Sequence, residues 1–136
     1  KVLERRLQTA RTVVDSPAVI RHFLMFELAE EGREVFYAIF LNSQNGVIAF
    51  EPLFVGTLEQ TSVHPREVVR RSLELGAAAV ILAHNHPSGT GEPSQADRLL
   101  TDTLKTALAL VDVRVLDHFI VAGAAWPTSF AERGLL

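Results

Sequence analysis

Seven apolar residues in a row, AAAVILA (77–83), lie between Gly76 and the polar stretch HNHPSGTGEPSQAD (84–97). A run this short, bounded by turn residues and apolar at every position, has no polar face to offer to water. It reads as a central β-strand buried on both sides. Such a strand needs cover above and below, which predicts a sheet flanked by helices. The 136 residues suit one domain with a core of its own.

The rest of the chain supplies the partners. Residues 1–15 form a lead-in, either helical or irregular. Asp15-Ser16-Pro17 is a helix start, an N-cap followed by Pro, and AVIRHFLMFELAE continues with helical spacing toward a stop near Gly32. EVFYAIFLN and VIAFEPLFVG, rich in β-branched and aromatic residues, flank SQNG, whose Asn45-Gly46 signals a hairpin. PREVVRRSLELG opens on Pro65, carries Glu67 in its first turn and closes on Gly76, a second helix. After the central strand, PSQADRLLTDTLKTALALV places Leu99, Leu100, Leu104, Leu108 and Val111 at helical spacing. RVLDHFIVAG is a further strand and SFAERGL a terminal helical turn. With an antiparallel hairpin among alternating helices and strands, the fold class is α/β with a mixed β-sheet flanked by helices.

Composition closes several routes. Thirteen Lys and Arg against sixteen Asp and Glu give a net charge of −3, so nucleic acid is not indicated by charge. Arg66, Arg70 and Arg71 read as a solvated helix face. With no cysteine there are no disulfides, no thiolate nucleophile and no Cys-ligated zinc; the cytoplasm is the default compartment. No apolar stretch approaches the roughly 18–20 residues of a membrane span, and KVLERRLQTA is too charged for a signal-peptide core. The absence of an initial Met suggests an excerpt of a longer chain.

The polar stretch leaves the carboxyl end of the central strand and opens the next helix, where open α/β sheets place ligands. In extended chain, residues i and i+2 point the same way, so His84 and His86 can present both imidazoles to one ion while Asn85 points elsewhere. A catalytic zinc takes three protein ligands and keeps the fourth position for water, and Asp97 is the third ligand. Its place in the first helical turn keeps it ionised. Singly, each residue has an ordinary explanation: histidines at a sheet rim are commonly just hydrogen-bonded, and Ser94-x-x-Asp97 is also a capping box. Together, aligned histidines and an acid one loop away favour a metal. A nucleobase deaminase also uses zinc on a mixed α/β fold, but needs H-x-E and P-C-x-x-C, which are absent.

His84-Asn85-His86-Pro87, followed at fixed spacing by Ser94 and Asp97, resembles the JAMM motif of MPN-type metalloproteases. HNHPSG, EPSQAD, HPREVVRRSL, LDHFIV and SFAERGLL resemble more closely the RadC-type branch, traditionally labelled DNA repair proteins, over residues 16–136. Longer members carry an amino-terminal helix-hairpin-helix region. The resemblance implies an MPN/JAMM (cytidine-deaminase-like) fold holding Zn2+ through His84, His86 and Asp97. In that family, zinc-bound water attacks a peptide or isopeptide carbonyl of a protein or peptide substrate. A general base outside the motif is required. Among Glu27, Glu30, Glu31, Glu34, Glu51, Glu67 and Glu74, the resemblance selects Glu34 at the start of the first strand, with Glu51 in reserve. Ser94 resembles the family serine that donates to the developing oxyanion, and Asp117-His118 offers a hydrogen bond to the far side of a ligand imidazole. His22 and His64 read as structural. The alternative is a non-catalytic zinc-binding interaction module associated with DNA repair or DNA metabolism.

Overall fold

A computed structural model describes residue 14 and residues 16–56 and 63–136. The elements are α1 (Pro17–Leu28), β1 (Val35–Leu41), β2 (Val47–Val55), α2 (Pro65–Leu75), β3 (Ala79–Asn85), α3 (Gln95–Ala109), β4 (Arg114–Val121) and β5 (Thr128–Ser129). Five strands form one sheet in the order β2-β1-β3-β4-β5. Only β3 and β4 run parallel, joined across α3; the other pairs are antiparallel. The expected mixed sheet flanked by helices is the fold observed.

Side-chain alternation sorts the sheet into two cores. Ile39, Leu41, Ile81 and Ala83 face α1, where Ile20, Phe23, Leu24 and Leu28 cover them. Phe36, Ala38, Phe40, Val80 and Leu82 face the other way, against Val68 of α2 and Leu100, Leu104 and Leu108 of α3. β3 is buried at all seven positions, as an apolar run between two helical layers must be. Each large side chain so buried contributes about 1.5–3 kcal/mol of transfer free energy.

Local signals explain most boundaries. Ser16 caps α1, accepting from the Ala18 amide at 3.2 Å, and Pro17 and Pro65 occupy first-turn positions that have no amide to lose. The first helix ends at Leu28, short of Gly32, because the chain must turn to feed β1. Asn45, at φ +60°, turns the β1–β2 hairpin, with Asn42 Oδ1 accepting from the Gln44 and Gly46 amides. The predicted terminal helical turn differs. Ser129 is drawn into β5 beside Phe119, and overlapping turns follow it. The lead-in expected over residues 1–15 lies outside the described residues except Val14, whose amide donates to Asn45 O at 2.8 Å.

The basic face of α2 is neutralised within the fold. Arg70 pairs with Glu67 and Glu74, and Arg71 grips Glu51 of β2 through two bonds of 2.7 and 2.6 Å. Among the described residues no helix is long and apolar enough to cross a membrane.

Candidate metal centre

His84 lies on β3 in the same phase as Val80 and Leu82, and therefore faces α3. His86 follows the strand end, its amide held by Val121 O at 2.9 Å. A turn closed by Gly89 N and His86 O, with Gly89 at φ +91°, starts the loop back toward α3. Asp97 sits at the third position of that helix, behind Ser94. Three side chains meet there. His84 Nε2 lies 3.1 Å from Asp97 Oδ1, His86 Nε2 lies 3.1 Å from Asp97 Oδ2, and the two Nε2 atoms are 2.9 Å apart. The group could hold a metal ion.

The outer hydrogen bonds decide what those atoms offer, with tautomers assigned from their partners. His86 Nδ1 lies 2.7 Å from the Thr90 carbonyl, which only accepts, so Nδ1 carries a hydrogen and, in the neutral ring, Nε2 holds the lone pair. Thr101 Oγ1 donates to Asp97 O at 2.8 Å and therefore receives the Nδ1 hydrogen of His118 at 2.6 Å. Burial, and then the charge of His84, hold His118 well below the usual imidazole range, so it is neutral and its Nε2 accepts from His84 Nδ1 at 2.7 Å. In a neutral His84 ring that leaves Nε2 as a lone pair as well. The three groups call for positive charge between them, either a metal ion taken by both lone pairs or protons on the Nε2 atoms that the Asp97 carboxylate accepts. The donor set fits zinc. Tetrahedral ligands at about 2.0–2.2 Å from the ion stand roughly 3.3–3.6 Å apart, within a small relaxation of the observed spacing.

The electrostatics agree. Burial alone would raise the Asp97 carboxyl, but hydrogen bonds to His84 and His86 overcome it and hold the group well below the usual carboxylate range. The bond to Asp97 raises His86 against the opposing effect of burial, and the charge of Glu34 adds to the rise. Phe36 stacks on His84 at 6.0 Å and Phe130 on His118 at 4.5 Å, so one side of the cluster is dry.

Asp97 is both cap and cluster member. Ser94 Oγ accepts from the Asp97 amide at 3.0 Å while Asp97 Oδ2 accepts from the Ser94 amide at 2.8 Å. Glu34 immediately precedes β1 and lines a small cavity with His84, Phe36 and Phe54. Glu51 is committed elsewhere, to Arg71. His118 does meet a ligand imidazole, whereas Asp117 does not; its carboxylate accepts from the His118 and Ala131 amides and from Ser129 Oγ, tying β4 to the carboxyl-terminal turns. His22 is exposed and meets Trp126 edge-on, and His64 occupies the N-cap position of α2 without a side-chain capping bond.

A β-bulge brings His118 into place. Val113 and Val115 face α3, but Phe119 and Val121 face α1, so the alternation changes phase between them. The register shows where: Val80 is opposite Val115 and Ile81 opposite Asp117, leaving Leu116 as the extra residue. Unbroken alternation would have turned His118 toward α1. Thr101 and Asn85 were not singled out from the sequence. Thr101 carried no cue of its own, but Asn85 did: a carboxamide within a wholly buried strand must find partners.

A mixed sheet between two helical layers, with a His-x-His strand end facing an Asp at the start of the next helix, is the arrangement of a JAB-type (MPN) domain. The RadC-like JAB domain matches residues 14–135, and the chain belongs to that family. It is similar to a UPF0758 protein of Leptothrix cholodnii, 62% identical over 126 residues, covering 93% of this chain and 56% of that protein. A UPF0758 protein of Dechloromonas aromatica is 58% identical over 136 residues, covering 100% of this chain and 60% of that protein. The chain thus spans somewhat over half the length of these curated relatives.

Proposed function

We propose that this domain is a zinc-dependent peptidase that hydrolyses a peptide or isopeptide bond, with His84, His86 and Asp97 holding the metal. The observation that carries the reading is the convergence of two imidazoles on one carboxylate, with His84 Nε2 and His86 Nε2 each 3.1 Å from an Asp97 oxygen. A zinc ion there would act as a Lewis acid toward the scissile carbonyl and lower the pKa of water toward about 7. Glu34, in this reading, accepts the proton of the attacking water and returns it to the departing amine. Its support is position: it stands beside His84, and its charge acts on His86. Ser94 keeps its hydroxyl hydrogen, because the capping bond uses the oxygen only as acceptor, so it can donate to a developing oxyanion. The Thr101–His118–His84 chain holds the first ligand in the tautomer a metal requires.

The test begins with protein purified without added metal, which should hold one zinc per chain by elemental analysis. An unbiased proteome cleavage screen then supplies a peptide. On it, Glu34→Gln should keep zinc and fold but lose hydrolysis by orders of magnitude, while Glu51→Gln should keep both. Metal-free protein, or unchanged turnover in Glu34→Gln, overturns the assignment. A zinc-loaded protein that cleaves nothing would leave a metal-binding interaction module in its place.

A further inference from the structure

Asn85 separates the two histidines of the cluster, is 1% exposed, and turns away from them. All its side-chain bonds go to one stretch of backbone. Its Oδ1 accepts from the Val35 amide at 2.7 Å, and its Nδ2 donates to Glu31 O at 3.1 Å and Arg33 O at 2.7 Å. Residues 31, 33 and 35 bracket Glu34. The approach to β1 is otherwise irregular chain, tied on its far side by Gly56 N to Glu34 O at 2.7 Å. A buried strand between two helical layers has no packing use for a carboxamide. An apolar residue of similar size would avoid its desolvation cost of about 1–3 kcal/mol per unsatisfied group, so the amide is explained by what it holds.

We propose that Asn85 is a positioning residue that fixes Glu34 relative to the metal cluster. Three consecutive residues at one strand end then do the whole placement: His84 and His86 face the metal and Asn85, on the opposite face, sets where the base stands. The inference rests on the reading of Glu34 as the base. It matters because a misplacement of about 1 Å at a reacting group costs on the order of 100-fold in rate.

The test needs no substrate. In protein labelled with 13C at glutamate carboxyls, the Glu34 resonance is identified by its loss in Glu34→Gln and followed as Zn2+ is added. The parent resonance should shift on saturation. Asn85→Ala should take up the same single Zn2+ while that shift falls to less than about half, and its Val35 amide should exchange at least about tenfold faster. Asn85→Asp, which keeps the acceptor for Val35 but turns an acceptor toward the Glu31 and Arg33 carbonyls, should behave the same way and serves if the alanine variant does not fold. A zinc-loaded variant with the full Glu34 response overturns the inference and leaves Glu34 as base. A parent resonance indifferent to bound Zn2+ overturns the base reading and this inference with it. In the unsubstituted protein, a Val35 amide exchanging at the rate of free chain would overturn the anchor alone.

Discussion

Thr101 serves two partners with one hydroxyl: it gives its hydrogen to Asp97 O and takes one from His118 Nδ1. Thr101→Val keeps the volume and removes both bonds, leaving a fully buried imidazole N–H without an acceptor. The expected cost is about 1–3 kcal/mol of unfolding free energy, measured by denaturant titration of chelated protein. Because His118 then loses its reason to keep hydrogen on Nδ1, His84 is free to take the wrong tautomer, and Zn2+ affinity should drop about 10–100-fold in a competition titration. Unchanged affinity would reduce the chain to a packing feature. Asp97 poses the complementary question, since it caps α3 and faces both histidines. Asp97→Ala should lose the cap, about 0.5–2 kcal/mol, and should also stop responding to chelator. A variant that still held stoichiometric zinc would show Asp97 to be a cap alone.

Among the elements, the loop between β3 and α3 determines where the second histidine stands. Its Gly91 packs so closely on β5 that a Cβ there would lie 2.8 Å from Thr128 Oγ1. Thr128 is β-branched and short, so its oxygen cannot swing away as the end of a long side chain could. Gly91→Ala should therefore destabilise by about 1–3 kcal/mol, and Thr128→Ala should recover most of that loss in the double variant. Additive losses, read from melting curves of the two single variants and the double, would refute the contact. β4 uses a different device. Its bulge at Leu116 lets one strand feed Val115 to the α3 core and Phe119 to the α1 core, and delivers His118 beside His84.

At the scale of the whole molecule, the His84–His86–Asp97 cluster lies at the rim of a sheet whose two cores are already closed by helices. Folding should therefore survive metal removal. An ion that binds only the folded chain adds RT ln(1 + [L]/Kd), about 4 kcal/mol at a thousandfold excess over Kd, which for this length is roughly 10–15 °C in melting temperature. Calorimetry with and without chelator should show that drop with a cooperative transition in both samples. Loss of the transition on chelation would mean that the ion, not the cores, holds the fold.

The sequence by itself determined most of the elements and picked out the three side chains that the fold brings together. AAAVILA could only be a strand covered on both faces, Asn45-Gly46 closed a hairpin, prolines and glycines marked helix ends, and His84, His86 and Asp97 announced themselves by spacing. These are local facts, written in periodicity and turn chemistry over a few neighbouring residues. The tertiary structure decided the rest. It placed His118 and Thr101 behind His84, because a bulge in one strand's register across another leaves no pattern in the strand's own residues. It committed Glu51 to Arg71, gave Asp117 to the carboxyl-terminal turns, and joined Asn85 to the backbone around Glu34 across fifty residues of chain. Such pairings depend on which surfaces meet once both cores have closed, and a hydrogen bond between distant residues has no periodicity to read.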